Sequence, residues 1–179
     1  MKSGTALFTL IVVLSLFLLA SGCTQTAAGN VTATPAVTAA AEPVTTPVLT
    51  TNETLVAFVK EAVSYAKTNG KYAAIAEFNK PNGSFVRGEL YIYAYDFNGT
   101  TIAHPFNPEK IGINRLNETD AHGNYFIKDL RDAAENGTGF VEFWYINPAH
   151  NKTVEKKLGY VEKAGDSWWL GSGIYEGTA

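Results

Sequence analysis

Hydrophobic residues along the chain repeat with two different periods, and the change between them separates helix from sheet. Leu55, Phe58, Val59, Ala62 and Ala66 fall at helical spacing, with Asn52 placed to cap the start and Gly70 to end the helix in the left-handed conformation. This helix carries one apolar stripe, so it packs along one side of something. A weaker helical piece, 72–78, follows and breaks at Lys80-Pro81-Asn82-Gly83. The period then falls to two. Residues 89–95 alternate, with Tyr91, Tyr93 and Tyr95 on one face and Leu90, Ile92 and Ala94 on the other. Asp96-Phe97-Asn98-Gly99 reads as a turn, because Asn-Gly tolerates positive φ. Residues 100–104 return as the second arm of the hairpin, and Pro105 stops the pairing because it has no N–H to donate. An excursion rich in Asn, Pro and Gly, 106–123, leads into a helix at 125–135, ended by Asn136-Gly137. Three further strands are expected at 139–146, 154–162 and 168–175.

This order predicts the α+β class: a five-stranded antiparallel sheet with the long N-terminal helix on one face and a loop/helix lid on the other. Structureless excursions longer than about 12–15 residues are usually lids or binding loops, so 106–123 is the expected lid over a pocket.

The first 50 residues follow a different pattern. Lys2 precedes an apolar run, 6–20, that ends in Leu19-Ala20-Ser21-Gly22-Cys23, which reads as an export signal too short for a comfortable membrane span. Cys23 is the chain's single cysteine and has no intramolecular disulfide partner. Small residues before a lone Cys resemble the lipobox of prokaryotic lipoproteins, in which that Cys is lipidated after cleavage; an uncleaved signal anchor with an incidental Cys is the alternative. Residues 24–49 are mostly Thr, Ala, Val and Pro, a composition that buries too little surface to offset its ordering entropy. The expected organisation is a signal peptide at 1–22, a lipid-anchor Cys and tether at 23–50, and one folded domain at 51–179, held outside the cytoplasm at the cell membrane. Seven Asn-x-Ser/Thr sequons, at Asn30, Asn52, Asn82, Asn98, Asn117, Asn136 and Asn151, fit an exported protein and an archaeal source. With 14 Lys+Arg against 17 Asp+Glu, nothing is basic enough to attract nucleic acid.

Five stretches, "YIYAYDFNGTTIAHP", "IGIN", "NGTGFVEFWYINP", "KKLGYV" and "WWLGSGIY", occur in an order and spacing that resemble single Cache domains, the extracytoplasmic PAS-like sensor modules of prokaryotic chemoreceptors and sensor kinases. The resemblance covers residues 52–176. It implies a PAS-like sheet and a pocket for a small molecule, a short carboxylate or an amino acid. The charged and aromatic pattern of amino-acid-sensing members is not recognisable here, which favours simple organic acids such as acetate, propionate or pyruvate. No second apolar span and no kinase or methyl-accepting region follows in the sequence, so the expected output runs through a separate membrane partner, a chemoreceptor or sensor kinase.

Seven residues are candidates for the ligand. His104 shares a strand face with Ile102 and is placed to donate to a carboxylate, with imidazolium strengthening the contact. The competing role is bonding to loop carbonyls released by Pro105; the recurrence of His-Pro in the family favours the pocket. Lys157 is placed to neutralise an anion, or is a solvated edge lysine beside Lys156; alternation puts Lys157, Gly159 and Val161 on one face and Tyr160 on the other, so Lys157 and Tyr160 reach the same pocket only across a bulge. Tyr91, Tyr93 and Trp144 are candidate pocket walls, with plain core packing as the alternative for each. Arg115 in the lid is a second anion partner or a surface residue. Trp168 and Trp169 are adjacent and face opposite ways, so at least one is core.

Catalysis has little to stand on. Gly171-Ser172-Gly173 is not a G-x-S-x-G elbow, His104, His122 and His150 lack metal-ligand spacing, and "NETDAHGN" lacks the bidentate Glu of a calcium loop. No enzyme activity, metal or cofactor is expected. The alternative to a binding module is a surface-anchored structural or protein-interaction module with a filled core. A lid-side cavity of about 300 Å³ or more with convergent polar groups would favour binding, and a dry packed face the scaffold.

Overall fold

Helix α1 (Asn52–Asn69) is capped one residue before the expected position: Thr51 is extended, and its hydroxyl accepts the Thr54 N–H while the Thr54 hydroxyl accepts the Thr51 N–H. Asn52 is therefore the first helical residue, and a reciprocal Thr–Thr box does the capping. Gly70 has positive φ as expected, but its ψ of 157° lies outside the left-handed helical region, in a conformation open mainly to glycine. That geometry turns the chain straight into α2 (Lys71–Phe78). The computed structural model describes residues 50–176; the expected signal peptide, Cys23 and nearly all of the expected tether lie outside the described residues.

The remaining elements are β1 (Val86–Arg87), β2 (Leu90–Tyr91), β3 (Tyr93–Asp96), β4 (Thr101–Ala103), a 3₁₀ turn (Pro108–Lys110), α3 (Phe126–Glu135), β5 (Thr138–Asn147), β6 (Thr153–Gly165) and β7 (Trp168–Tyr175). The single strand expected over 89–95 is split at Ile92, whose N–H bonds the Phe85 carbonyl, and its first part pairs with β1 in a two-residue ladder. The other five strands form one antiparallel sheet in the order β4-β3-β7-β6-β5. The last strand lies at its centre.

Alternation then sorts the side chains to two faces. On one, Leu55, Phe58, Val59, Ala62, Val63 and Ala66 of α1 pack with Leu90, Ile92, Ala94, Ala103, Trp168 and Leu170. On the other, Phe126, Ile127, Leu130 and Ala134 of α3 pack with Tyr91, Tyr93, Tyr95, Phe143, Val161 and Trp169. Both adjacent tryptophans are core, one on each face. Each large apolar side chain buried this way contributes roughly 1.5–3 kcal/mol.

The lid is fixed at both edges of the sheet. Thr101 N–H bonds the Ile113 carbonyl, Gly112 N–H bonds the Thr101 carbonyl and Arg115 N–H bonds the Gly99 carbonyl, so 112–115 run along the outer edge of β4. Further on, the Asp120 carboxylate accepts the N–H groups of His122 and Asn124 and, at 3.2 Å, that of Trp144 on β5.

Gly99 holds the crossing point of hairpin and lid. Its φ is +86°, and a Cβ there would lie 2.2 Å from Leu116 Cγ. Gly88 has φ +61° but open space around it. Gly88→Ala therefore carries only the backbone cost, about 1–2 kcal/mol. Gly99→Ala carries that cost plus overpacking of about 1–3 kcal/mol. Urea unfolding of residues 50–179 should show Gly99→Ala clearly less stable than Gly88→Ala; equal losses would mean that Leu116 does not pack against this turn.

Candidate functional site

The floor of the site is where side chains are missing. On the α3 face of β6 and β7, Gly159 pairs with Gly173 and Val161 with Gly171. A Cβ on Gly159 would meet Phe143 at 2.8 Å and the Tyr93 hydroxyl at 3.1 Å; one on Gly171 would meet the Tyr160 carbonyl oxygen at 2.6 Å and the Tyr93 ring at 2.9 Å. The three glycines leave a trough into which the β2–β3 tyrosines settle.

Lys157 closes one end of that trough. Its side chain is fully buried, with Cε so near Gly173 that a Cβ there would be 2.6 Å away. Nζ donates to the Tyr175 hydroxyl at 3.2 Å and lies 4.1 Å from the Tyr91 ring centre and 4.3 Å from that of Tyr175. The Tyr175 hydroxyl in turn donates to the Ile146 carbonyl at 2.7 Å. Lys157 makes no salt bridge among the described residues. Burial lowers its pKa to about 7, with the charge of Glu89 pulling weakly the other way. The solvated-edge alternative is thereby overturned.

Arg115 closes the other end. It is 1% exposed, so the surface role is also overturned. Nε and Nη2 each donate to the Glu118 carboxylate at 2.7 Å, and Nη1 donates to the Tyr95 hydroxyl. Burial is the largest single influence and opposes its charge, but the Glu118 hydrogen bonds together with the electrostatic attraction of Tyr95, Tyr145 and Glu118 outweigh it and hold its pKa above the ordinary value. The same fork keeps the Glu118 carboxyl below the usual range, so the pair stays ionised.

His104 stands beside Lys157, its ring 5.3 Å from that of Tyr91. It does not share the surroundings of Ile102: the register shift between Ala94 and Tyr95 turns Ile102 toward the α1-side core, while His104 faces the tyrosines. Nδ1 accepts the Phe106 N–H at 3.3 Å and the Asn107 N–H at 3.1 Å. The ring therefore holds loop amides through Nδ1, not the loop carbonyls expected from the sequence, and its Nε2 lies 3.2 Å from the Asn107 side-chain amide nitrogen. Burial first, then the charges of Lys157, Arg115 and Lys110, lower its pKa to about 3. His104 is neutral at neutral pH, so imidazolium plays no part there.

Five of the seven sequence candidates, Tyr91, Tyr93, His104, Arg115 and Lys157, line one interior space. Tyr160 faces the α1-side core, 4.8 Å from the Phe140 ring, because the strand shows no bulge between it and Lys157. Trp144 lies over His122 in an outer groove beside Lys110 and Glu118. The sequence reading missed Tyr95, Tyr145, Tyr175, Asn107 and Glu118. Tyr95 and Tyr175 were accessible from strand alternation; Asn107 and Glu118 sit in the lid, where no period places them. The enclosed space is only about 10 Å³, room for about one water. An outer opening of about 240 Å³, lined by Phe106, Asn107, Ile146, Pro148 and Lys152, shares Tyr91 and His104 with it. The polar groups converge as a binding site requires, but the interior is nearly filled.

The fold that carries this arrangement is similar to known sensor domains. A crystal structure of a methyl-accepting chemotaxis protein from Vibrio parahaemolyticus superposes with a TM-score of 0.61 at 28% identity, covering 69% of this chain and 86% of that one. A Cache chemosensory domain whose structure explains carboxylic acid recognition gives 0.54 at 21% identity, over 69% and 87% of the two chains. The sensor histidine kinase MctS of Rhizobium johnstonii is 29% identical over 85 residues, 48% of this chain; the match spans 18% of the kinase. The family model for single Cache domain 2 matches residues 50–178, which takes in all of the described residues, and the chain belongs to that family.

Proposed function

We propose that residues 51–179 form an extracytoplasmic sensor domain, without enzyme activity, that binds a small organic acid between the tyrosine row and the lid. One observation carries this reading: Lys157 is wholly buried, has no carboxylate partner among the described residues, and faces the same space as His104 and Arg115. A buried cation is normally paired. A ligand carboxylate would supply the missing charge. The recognition of carboxylic acids by a structural neighbour agrees with this reading. The information would pass to a separate chemoreceptor or sensor kinase, with the domain held at the membrane through Cys23. The anchor has its own check: mass spectrometry of membrane-purified protein should find a lipidated Cys23 at the N-terminus, and an intact Met1 would refute it.

The nearly filled interior favours a second reading, a surface-anchored interaction module without a ligand. A thermal-shift screen of residues 51–179 with acetate, propionate, pyruvate and amino acids separates the two. A ligand at 100 times its Kd adds about 2.7 kcal/mol, which raises the midpoint by about 5–10 °C. No shift with any of them supports the scaffold.

Lys157→Met should abolish the response to acids and yet raise the midpoint of the free protein. An unfolded lysine holds its proton up to pH 10.5, whereas folded Lys157 releases it near 7. The unfolded state therefore binds the extra proton between pH 7 and 10.5, and this group's contribution to stability rises with pH across that window. Below pH 7 its penalty is fully present, on the order of 4–5 kcal/mol. Methionine fills a similar volume without the charge. A mutant no more stable than wild type at pH 6.5 would show that the cation is compensated by something else.

Binding should carry the same signature. An anion needs protonated Lys157, whose charge in the free protein is half lost at about pH 7. Calorimetric affinity for an active acid should be level between about pH 5.5 and 6.5 and weaken above 7 by up to about tenfold per pH unit, until the raised pKa of the complex is reached. His104, neutral throughout this range, adds nothing. Affinity independent of pH to 8.5 would place the anion away from Lys157.

A further inference from the structure

The two buried cations of the site differ in one respect. Of the five N–H donors of a guanidinium, Arg115 places Nε and Nη2 in a fork on Glu118 at 2.7 Å each, sets Nη1 on the Tyr95 hydroxyl, and brings Nη2 within 3.5 Å of the Tyr145 hydroxyl. Lys157 has no such fork. Glu118 holds its position from outside: a third of its side chain is exposed, Lys110 Nζ lies 3.5 Å from Oε2, and it lines the outer groove rather than the interior space. Its carboxylate thus occupies the place on Arg115 that a second ligand carboxylate would need.

Resting on the organic-acid reading above, we infer that Glu118 is a specificity-determining residue, an internal carboxylate that occupies Arg115 and restricts the site to monocarboxylates. Lys157 lies over Tyr91 and Arg115 beside Tyr95, positions about 13 Å apart along extended backbone. A four- or five-carbon dicarboxylate with an ion pair at each end has about that reach. In the native protein its far carboxylate meets a guanidinium with four of its five donors taken and a like charge on Glu118, and like charges in a desolvated site discriminate strongly. A monocarboxylate presents only its alkyl end there, beside Phe126 and Leu130, which line the same space.

The experiment is calorimetric binding of propionate, succinate and glutarate at pH 6.5 to the full domain and to Glu118→Gln, read as the ratio of dicarboxylate to propionate affinity. Wild type should favour propionate by at least ~10-fold, and Glu118→Gln should raise the ratio by at least ~10-fold for one of the two diacids, the scale of one charge-assisted contact. A folded Glu118→Gln with an unchanged ratio overturns the inference, as does a wild type that binds succinate as tightly as propionate. If the stranded arginine prevents Glu118→Gln from folding, the double variant Arg115→Gln/Glu118→Gln decides. Its ratio should stay as low as in wild type, and acceptance of succinate there would show that Arg115 is not the second anchor. Propionate binding without any gain for diacids sinks only the role of Glu118; no binding of any acid to any form sinks the organic-acid reading with it.

Discussion

The absence of side chains at Gly159, Gly171 and Gly173 is the constraint on which the lid side of the domain depends. The sheet centre is β6 and β7, and ordinary alternation would fill their α3-facing surface with side chains that meet those of α3 directly. The Gly159–Gly173 pair instead leaves a gap one residue wide across two strands. Tyr93 drops into it far enough for its hydroxyl to reach the Ser172 carbonyl at 3.2 Å. Tyr91 and Tyr95 then lie on either side, at ring separations of 6.5 and 6.2 Å. The aromatic row is thereby held low against the sheet. The space above it, under α3 and the lid, is lined by hydroxyls and cations rather than by aliphatic groups alone.

Two cations in that space obey opposite electrostatics. Arg115 is stabilised where it lies, because a bidentate carboxylate and tyrosine hydroxyls take its donors. Lys157 is not. Its two ring contacts are worth about 2 kcal/mol each when desolvated, against a penalty of several kcal/mol for an unpaired buried ion. Attraction to the rings loses, and the ammonium relieves the deficit by giving up its proton, with a pKa near 7. A packed domain gains nothing in stability from this arrangement; a leucine or methionine would serve the core better. The sequence keeps a residue that costs folding energy in the interior space proposed as the binding site, as expected where binding and stability compete.

Much of this was legible in the chain. Period-two alternation placed Tyr91, Tyr93 and Tyr95 together and opposite Leu90, Ile92 and Ala94, because a half-buried strand leaves each side chain one choice of face. The same rule put Lys157 and Tyr160 on opposite faces, and the straight register of β6 enforces it. What failed were features that no local period encodes. The register shift at Ala94/Tyr95 lies between two strands and in neither strand's own pattern, so Ile102 and His104 part company. The burial of Arg115 comes from hydrogen bonds between 112–115 and β4, which link residues of no recognisable pattern. The charge state of His104 depends first on burial and then on three cations, Lys157, Arg115 and Lys110, brought in from other elements. The central position of β7 is likewise a property of the whole sheet, since antiparallel hairpin signals say which neighbours are adjacent in sequence and little about insertion of the last strand.

The closed interior and the proposed ligand are reconciled by where the lid is attached. A space for one water cannot hold even acetate, so occupation requires some of its walls to part. The sheet side is the more firmly packed wall, because Tyr93 and Lys157 lie close over glycines of the continuous β6–β7 ladder. The lid side is held by local hydrogen bonds: two backbone bonds to β4 and one to Gly99 in the turn before it, the Asp120–Trp144 and Asn107–Tyr145 bonds to β5, and the contacts of His104 and Arg115 with the interior. An acid that draws in protonated Lys157 therefore acts against the lid, and any displacement of the lid reaches both outer strands of the sheet at once. Because the two attachments lie on opposite edges, a single closed pocket is mechanically tied to the full width of the domain.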